Sequence, residues 1–388
     1  MQEDQYLVPD YYPYFRCKQG ACRTPCCEGW PISVTLQDYF RLVGAPCSPE
    51  LRRRLDGSLH ICQNPTPERY AQICPRWDGQ CPLHREDGLC MLHAEMGEEA
   101  LSAVCRLYPR GVRTGEHREA SCANSCEAVV EMLLNRPEPL RFIPSPVQHC
   151  LPDAPPRRHV FHTFGREQET RLWLLHLLQN RTLSLPLRLL HLGCALQALQ
   201  ATLDARDEAR LDALLSGCEA LPVPPAVPAA HDELLQGLTA AEAMLEVIDG
   251  RSRSVHDYGV AALEHFGTGE DAFGRYTAAA RNFARLIPDW ETWLEQLLVN
   301  HLFFTQFPFQ DRPVSLTDEY LSLCACYALL RFLLLGWTAL HPTREAAVDV
   351  TAAAFRLIDH TDFDLIAAPL MHRLGCDTAE AITALMML

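Results

Sequence analysis

Leucine and alanine recur at three- and four-residue spacing along most of the C-terminal two-thirds of this 388-residue chain. That period gathers apolar side chains on one face of a helix. It predicts helices over residues 166–180, 185–203, 208–218, 232–248, 290–304, 317–337, 343–358 and 377–388. Alternating β-branched runs are scarce there, so the expectation is an all-α domain packed as a bundle or solenoid-like array. The most apolar run, 320–335, is interrupted by Arg331 and is too short to span a bilayer comfortably, so no membrane association is expected.

The first 136 residues lack this rhythm. Tyr6, Tyr11, Tyr12, Tyr14 and Phe15, with Pro9 and Pro13, make an opening stretch too aromatic to be left in water. Residues 30–35 read as a short extended piece, and Thr35 as the N-cap of a helix over 36–43 that Gly44 ends. Residues 45–80, with the basic run Arg52-Arg53-Arg54, read as irregular. A short helix should follow Gly97 and stop at Pro109. Seven prolines between 137 and 156 indicate a linker or draped surface segment. The expected fold is mainly α. A cysteine-rich, loop-rich metal or cluster domain (1–136) leads through a proline-rich linker (137–160) into an all-helical domain (161–388).

Cysteine changes this picture most. Twelve of the 18 cysteines fall within the first 126 residues. Cys17, Cys22, Cys26 and Cys27 share one short stretch in which Gly20, Pro25 and Gly29 break any period, so it should be a loop folded back on itself. Cys81 and Cys90 flank the tight-turn signal Asp87-Gly88 and could meet across it. Cys105 sits in the last turns of the short helix, and Cys122 and Cys126 are spaced to share a helix face. Thiolates packed this closely repel one another unless a metal shares them or oxidation joins them. Cys47, Cys62 and Cys74 stand alone and are weaker candidates. Cys194, Cys218, Cys324, Cys326 and Cys376 fall on the predicted helices and read as core.

The net charge of −15 excludes a general nucleic-acid binder. Residues 1–6 are acidic and carry no apolar run, so no signal peptide is expected and a cytoplasmic location follows. In a reducing compartment clustered cysteines bind metal or do redox chemistry rather than form disulfides. Lys18 is the only lysine beside 33 arginines, a bias that codon composition explains.

These motifs together resemble the flagellin lysine N-methylase family. The resemblance is carried by Cys17-x4-Cys22-x3-Cys26-Cys27-x2-Trp30, by Cys81-Pro82 and by Asp87-Gly88-Leu89-Cys90. It continues through 97–102, Cys105-Arg106-Leu107-Tyr108-Pro109-Arg110 and Ser125-Cys126, and in the C-terminal half through 299–304, Phe307-Pro308-Phe309 and 320–335. It implies a cytosolic enzyme that methylates flagellin lysines, with S-adenosylmethionine as donor and a [4Fe–4S] cluster on the cysteines. The candidate ligands it carries over are Cys17, Cys22, Cys26, Cys27, Cys81, Cys90 and Cys105, more than the four thiolates one such cluster needs.

Two common ways of binding this donor are absent. No glycine-rich strand-to-helix turn is evident, and Gly267-Thr268-Gly269 reads as a plain turn. The Cys-x3-Cys-x2-Cys spacing would need a cysteine where Gly29 stands. A free lysine must lose a proton before it attacks a methyl group. Tyr108 is the first candidate acceptor, with Glu98 and Glu99 behind it, and Arg106, Arg110 and Arg113 could hold the donor's carboxylate. The rival chemistry is a non-enzymatic zinc-binding interaction module in which His84 or His93 joins the cysteines. A cysteine-based redox sensor is a third class.

Overall fold

Thr35 accepts a hydrogen bond from the Asp38 amide and Gly44 closes the following helix, as its short-range signals require. The computed structural model describes residues 5–114, 117–147, 161–223, 231–248, 250–267, 269, 271–310 and 314–387. In chain order its first elements are β1 (Gln5–Pro9), β2 (Ile32–Val34), α1 (Leu36–Val43), α2 (Pro49–Ser58), β3 (Leu59–Ile61) and β4 (Ala71–Ile73). Next come α3 (Met91–Met96), α4 (Ala103–Leu107), β5 (Arg110–Arg113), β6 (Glu119–Cys122), α5 (Glu127–Leu134) and β7 (Phe142–Pro146). Helices alone follow: α6 (Glu167–Leu178), α7 (Leu185–Asp204), α8 (Glu208–Leu215), α9 (His231–Ile248), α10 (Arg253–Phe266) and α11 (Ala272–Leu286). The last are α12 (Trp290–Thr305), α13 (Leu316–Leu340), α14 (Arg344–His360), α15 (Phe363–Arg373) and α16 (Ala379–Met387). The protein is mainly helical, with a small cysteine-rich sheet-and-loop region before an all-helical one.

Two units can be described separately. The cysteine-rich unit comprises Tyr14–Gly111 and Cys126–Ala128. Its sheet is antiparallel, ordered β2-β4-β3, with Ile32 opposite Ile73 and Val34 opposite Ala71. Val34, Leu42, Leu51, Leu55, Leu83 and Leu92 form its small core. The region expected to be irregular holds α2, capped by Ser48 with Pro49 in its first turn and burying Leu51 and Leu55 one turn apart. The arginine run lies on this helix.

The helical unit comprises the residues up to Pro13, Val112–Ser125 and Val129 onward. This division departs from the expected 1–136, 137–160 and 161–388, because strands from the first third of the chain group with the helices. The sheet runs β5-β6-β1-β7, with β1 parallel to β6 and antiparallel to β7. Pro144 and Pro146 lie in β7, an edge strand where a missing N–H is tolerated. Residues 148–160, the rest of the expected linker, lie outside the described residues, as do Cys150 and Thr268. Cys122 ends a strand, so it shares no helix face with Cys126.

Helix α13 is the axis of this unit, touched by α7, α9, α10, α11, α14, α15 and α16. By length and composition it could cross a membrane, but 78% of its most apolar window is buried among these helices. Gly336 on α13 allows close approach to α10, since a Cβ there would meet the Ala262 Cβ at 2.2 Å. Helices α10 and α11 escape the leucine period because their buried faces use small and aromatic residues, Val255, Gly259, Ala262 and Phe266, then Ala272, Tyr276, Ala279 and Phe283. Cys324, Cys326 and Cys376 are buried as expected, Cys194 is half-buried, and Cys218 is exposed.

Candidate metal centre

Three stretches of the cysteine-rich unit fold onto one another, and each brings sulfur. The Cys81 amide donates to the Cys27 carbonyl at 2.7 Å and the Gly29 amide to Gly79 at 2.9 Å, so the vicinal pair is zipped to Gln80-Cys81. His84 pairs with Cys90 across the Asp87-Gly88 turn, where Asp87 accepts from the Leu89 amide. Gly88 has φ +80°, and a Cβ on it would strike the Gly20 carbonyl at 2.4 Å. No other residue suits both conditions, and this contact seats the first cysteine loop on the turn.

Cys105 arrives from α4. Asp38 fixes that helix by accepting from the Ala103 amide at 2.9 Å, and Ser102 caps it. Burial would raise the Asp38 carboxyl, but the Ala103 amide and Arg41 hold it below its ordinary range.

Five cysteines border the small core, Cys27, Cys47, Cys81, Cys90 and Cys105, and Cys26 lies within electrostatic reach of Cys27, Cys81, Cys90 and Cys105. Two of them share one device. Burial raises both thiols, and neighbouring backbone amides act against it, those of Leu83 and His84 on Cys81 and those of His93 and Leu92 on Cys90. The sequence signal is the repeat Cys81-Pro82-Leu83-His84 and Cys90-Met91-Leu92-His93, overlooked when the cysteines are read singly. Amide donors aimed at sulfur stabilise thiolate and tune whatever metal it ligates.

Without a metal these groups stay protonated. Burial pushes the Cys81 thiol up to about 11 and the Cys105 thiol to about 12, and raises that of Cys90. Contact with Cys26, then burial, pushes Cys27 higher still. Among the described residues no three His, Cys, Asp or Glu side chains stand close enough to grip one ion as placed. The donor set nevertheless fits a thiolate-ligated group: soft sulfur from three stretches of chain, with an apolar core on one side.

Cys17 and Cys22 belong to the outer loop. Cys17 is exposed and its sulfur accepts from the Gln19 amide at 3.3 Å. Burial and the nearby Glu127 carboxylate raise the Cys22 thiol to about 11. Glu127, whose side chain is 0% exposed, anchors this loop by accepting from Lys18 Nζ at 2.5 Å and from the Arg23 and Thr24 amides at 2.8 and 3.0 Å. Nothing local in the sequence points to it. Burial would raise its carboxyl, yet Lys18, the Thr24 amide and Arg23 hold it below the ordinary range. The anchor is therefore present above that range and lost on acidification through it. Glu127→Gln should cost roughly 2–4 kcal/mol locally, read as faster alkylation of Cys17 and Cys22 in the metal-free protein; unchanged rates would remove its anchoring role.

Tyr108 directly follows α4, edge-on to Trp30 with ring centroids 5.7 Å apart. Arg106 pairs with Glu99 at 3.2 Å, and Arg110 lies over the Phe15 ring. Arg113 donates to the Phe304 carbonyl within the helical unit. An open cleft of about 760 Å³ is walled by Arg54, Arg76, Gln80, His84, Arg85, Glu86 and Asp87. Its arginines are paired with Glu50, Asp78 and Asp87. The Nε2 atom of His84 is buried and has no hydrogen-bond partner among the described residues.

Comparison with known proteins bears first on the helical unit. Residues 171–383 match the family model of the FliB lysine N-methylase C-terminal domain. A lysine-N-methylase of Salmonella choleraesuis (strain SC-B67) is 29% identical over 144 residues, 36% of this chain and 34% of the relative. A lysine-N-methylase of Salmonella typhimurium (strain LT2) matches to the same extent, so the match spans about a third of the length of these two relatives. The flagellar biosynthetic protein FliU of Salmonella muenchen is 26% identical over 140 residues, 36% of this chain and 82% of the relative. No solved structure matches. With more than half of its residues under one family model, the chain belongs to the FliB lysine N-methylase family.

Proposed function

We propose that the protein is a cytoplasmic lysine N-methyltransferase that modifies flagellin, draws its methyl group from S-adenosylmethionine and carries a [4Fe–4S] cluster on its N-terminal thiols. The observation that carries the cofactor reading is the gathering of Cys27, Cys81, Cys90 and Cys105 at one small core. Family membership supports methyl transfer to lysine, and the name of the S. muenchen relative supports a flagellar substrate. Cys27, Cys81, Cys90 and Cys105 are the proposed ligands, with Cys26 adjacent. Cys17 and Cys22 then serve the outer loop.

Bound there, the cluster supplies iron that can orient the donor's amino and carboxylate groups. Arg106 and Arg110, close in sequence to Cys105, are the cations available to the carboxylate. The ordered core behind the thiols keeps water from one side of the site.

The orphaned His84 Nε2 beside Cys90 favours a second reading, a mixed Cys/His zinc site in a binding module. One experiment separates them. Protein purified without oxygen is assayed for iron, acid-labile sulfide and zinc, then incubated with flagellin with and without S-adenosylmethionine. Donor-dependent methyl-sized increments in intact flagellin mass, mapped to lysines, are expected. Zinc without sulfide, and no increment, would replace the enzyme with the binding module.

A further inference from the structure

We infer that the open cleft on the loop of Cys81 and Cys90 is the docking site for an acidic segment of the protein substrate; this rests on the methyltransferase reading above. The cleft has a volume of about 760 Å³ and lies wholly within the cysteine-rich unit. Its wall is built from Arg54 of α2, from Arg76 and Gln80, and from residues 84–87. Gln80 directly precedes Cys81, and residues 84–87 lie in the turn between Cys81 and Cys90. Arg54 reaches the same loop, donating from Nη1 to the Pro82 carbonyl at 3.0 Å. A chain lying in the cleft therefore lies against the loop that carries two of the proposed ligands.

Charge decides what kind of chain. The wall sets three guanidiniums against Glu86 and Asp87, and Asp87 already accepts from Arg85 and from the Leu89 amide. Glu50 and Asp78, the carboxylates beside Arg54 and Arg76, are not part of the wall. A guanidinium has five N–H donors. Arg76 engages Gln80 and Asp78 through Nη2 alone, and Arg85 engages Asp87 through Nη2 alone. Among the described residues the Nε and Nη1 atoms of both make no hydrogen bond. Donors in that fork grip a carboxylate through two bonds at once. The chain as a whole, at −15, repels carboxylates, so the attraction is local to this cleft. The same net charge disfavours nucleic acid, whose phosphates need a broad basic face.

Trp77 is an independent observation. At 94% exposure it packs against almost nothing in the chain. It stands on a tied turn between two wall residues: the Arg76 amide donates to the Gln80 carbonyl at 2.8 Å, and the Gly79 amide to the Arg76 carbonyl at 2.9 Å. Tryptophan beside arginine is the composition of protein-binding hot spots. An open, polar cleft suits a chain crossing it better than a small molecule, which takes an enclosed and mostly apolar pocket.

The test is fluorescence anisotropy of a labelled peptide, one lysine between two pairs of aspartates, with the full chain. Wild type should bind it, less tightly as salt is added, and should bind the asparagine version about tenfold more weakly. Arg76→Ala combined with Arg85→Ala should weaken binding about tenfold, and Trp77→Ala several-fold. Arg53→Ala, on the exposed side of α2 outside the wall, should change nothing. In steady-state methylation of flagellin the double variant should raise KM and leave kcat unchanged, the mark of lost uniform binding. Thermal unfolding checks each variant, and glutamine replaces alanine wherever the fold shifts. Equal binding of the two peptides, or a double variant that binds and methylates like wild type, overturns the docking site while the methyltransferase reading stands. Displacement of the peptide by S-adenosylhomocysteine or by a DNA oligonucleotide at lower concentration than by flagellin gives the cleft to another ligand and overturns it too. A cluster-loaded wild type that binds the peptide but methylates nothing would overturn the methyltransferase reading and, with it, the proposed occupant.

Discussion

Serine in place of Cys105 should leave protein purified without oxygen essentially free of iron, whereas serine in place of Cys47 should leave it loaded. Both side chains pack against the same small core. Cys105 also lies within reach of Cys26, Cys81 and Cys90, which raise its thiol after burial has done so. Because the metal-free thiols are neutral at ordinary pH, metal must displace protons to bind, so loading releases acid and weakens as pH falls. Serine offers no thiolate to compensate. The metal-free fold shows the opposite dependence. Thiols ionise near 9.0 in the unfolded chain, but Cys105 only at about 12 when folded. That preference for the neutral form is fully present below 9 and lost as pH rises through the folded value. Iron and sulfide per chain, with the visible absorption of a cluster, check the substitution. Equal loading of the two variants would remove Cys105 from the ligand set.

The largest loss of stability is expected at Glu295. This α12 carboxylate, 0% exposed, accepts from Arg181 Nε and Nη2 at 2.8 and 2.9 Å and from Arg188 Nη1 at 2.5 Å. Arg188 is itself buried. Glu295→Ala leaves that cation with the neutral Leu178 carbonyl at 3.2 Å and, as its remaining carboxylate, the longer contact to Glu291 at 3.5 Å. Removing one partner of such a pair costs about 3–5 kcal/mol, since a buried charge is left uncompensated. The surface pair of Glu50 with Arg54 is a control, because Glu50→Ala should cost under about 1 kcal/mol. Denaturant unfolding of both variants decides it, and similar midpoints would show that the Glu295 charge is not needed for the fold.

What could be read from sequence was short-range. The Thr35 cap, the Gly44 stop and the Asp87-Gly88 turn each involve a few neighbours, and all appear where expected. The leucine-rich helices are legible for the same reason. The first sheet is not, since it pairs Gln5 with Pro146 and Leu7 with Glu119. Helices α10 and α11 hide because close packing selects glycine and alanine, which carry no strong periodic signal. The same limit applies to the sites. Clustered cysteines advertise themselves, but Glu127 reaches its loop across 109 positions. Carboxylates that act at such separations look like ordinary surface acids until the chain is folded.

Lys18 gives the assay an internal standard. As the only lysine, and with its ammonium against Glu127, it is the single lysine amine that the chain offers to methylation. A mass shift in this chain during the assay can then be assigned to Lys18 or the α-amino group without mapping. Amine-reactive labels should report the tethering of the outer loop through that one residue.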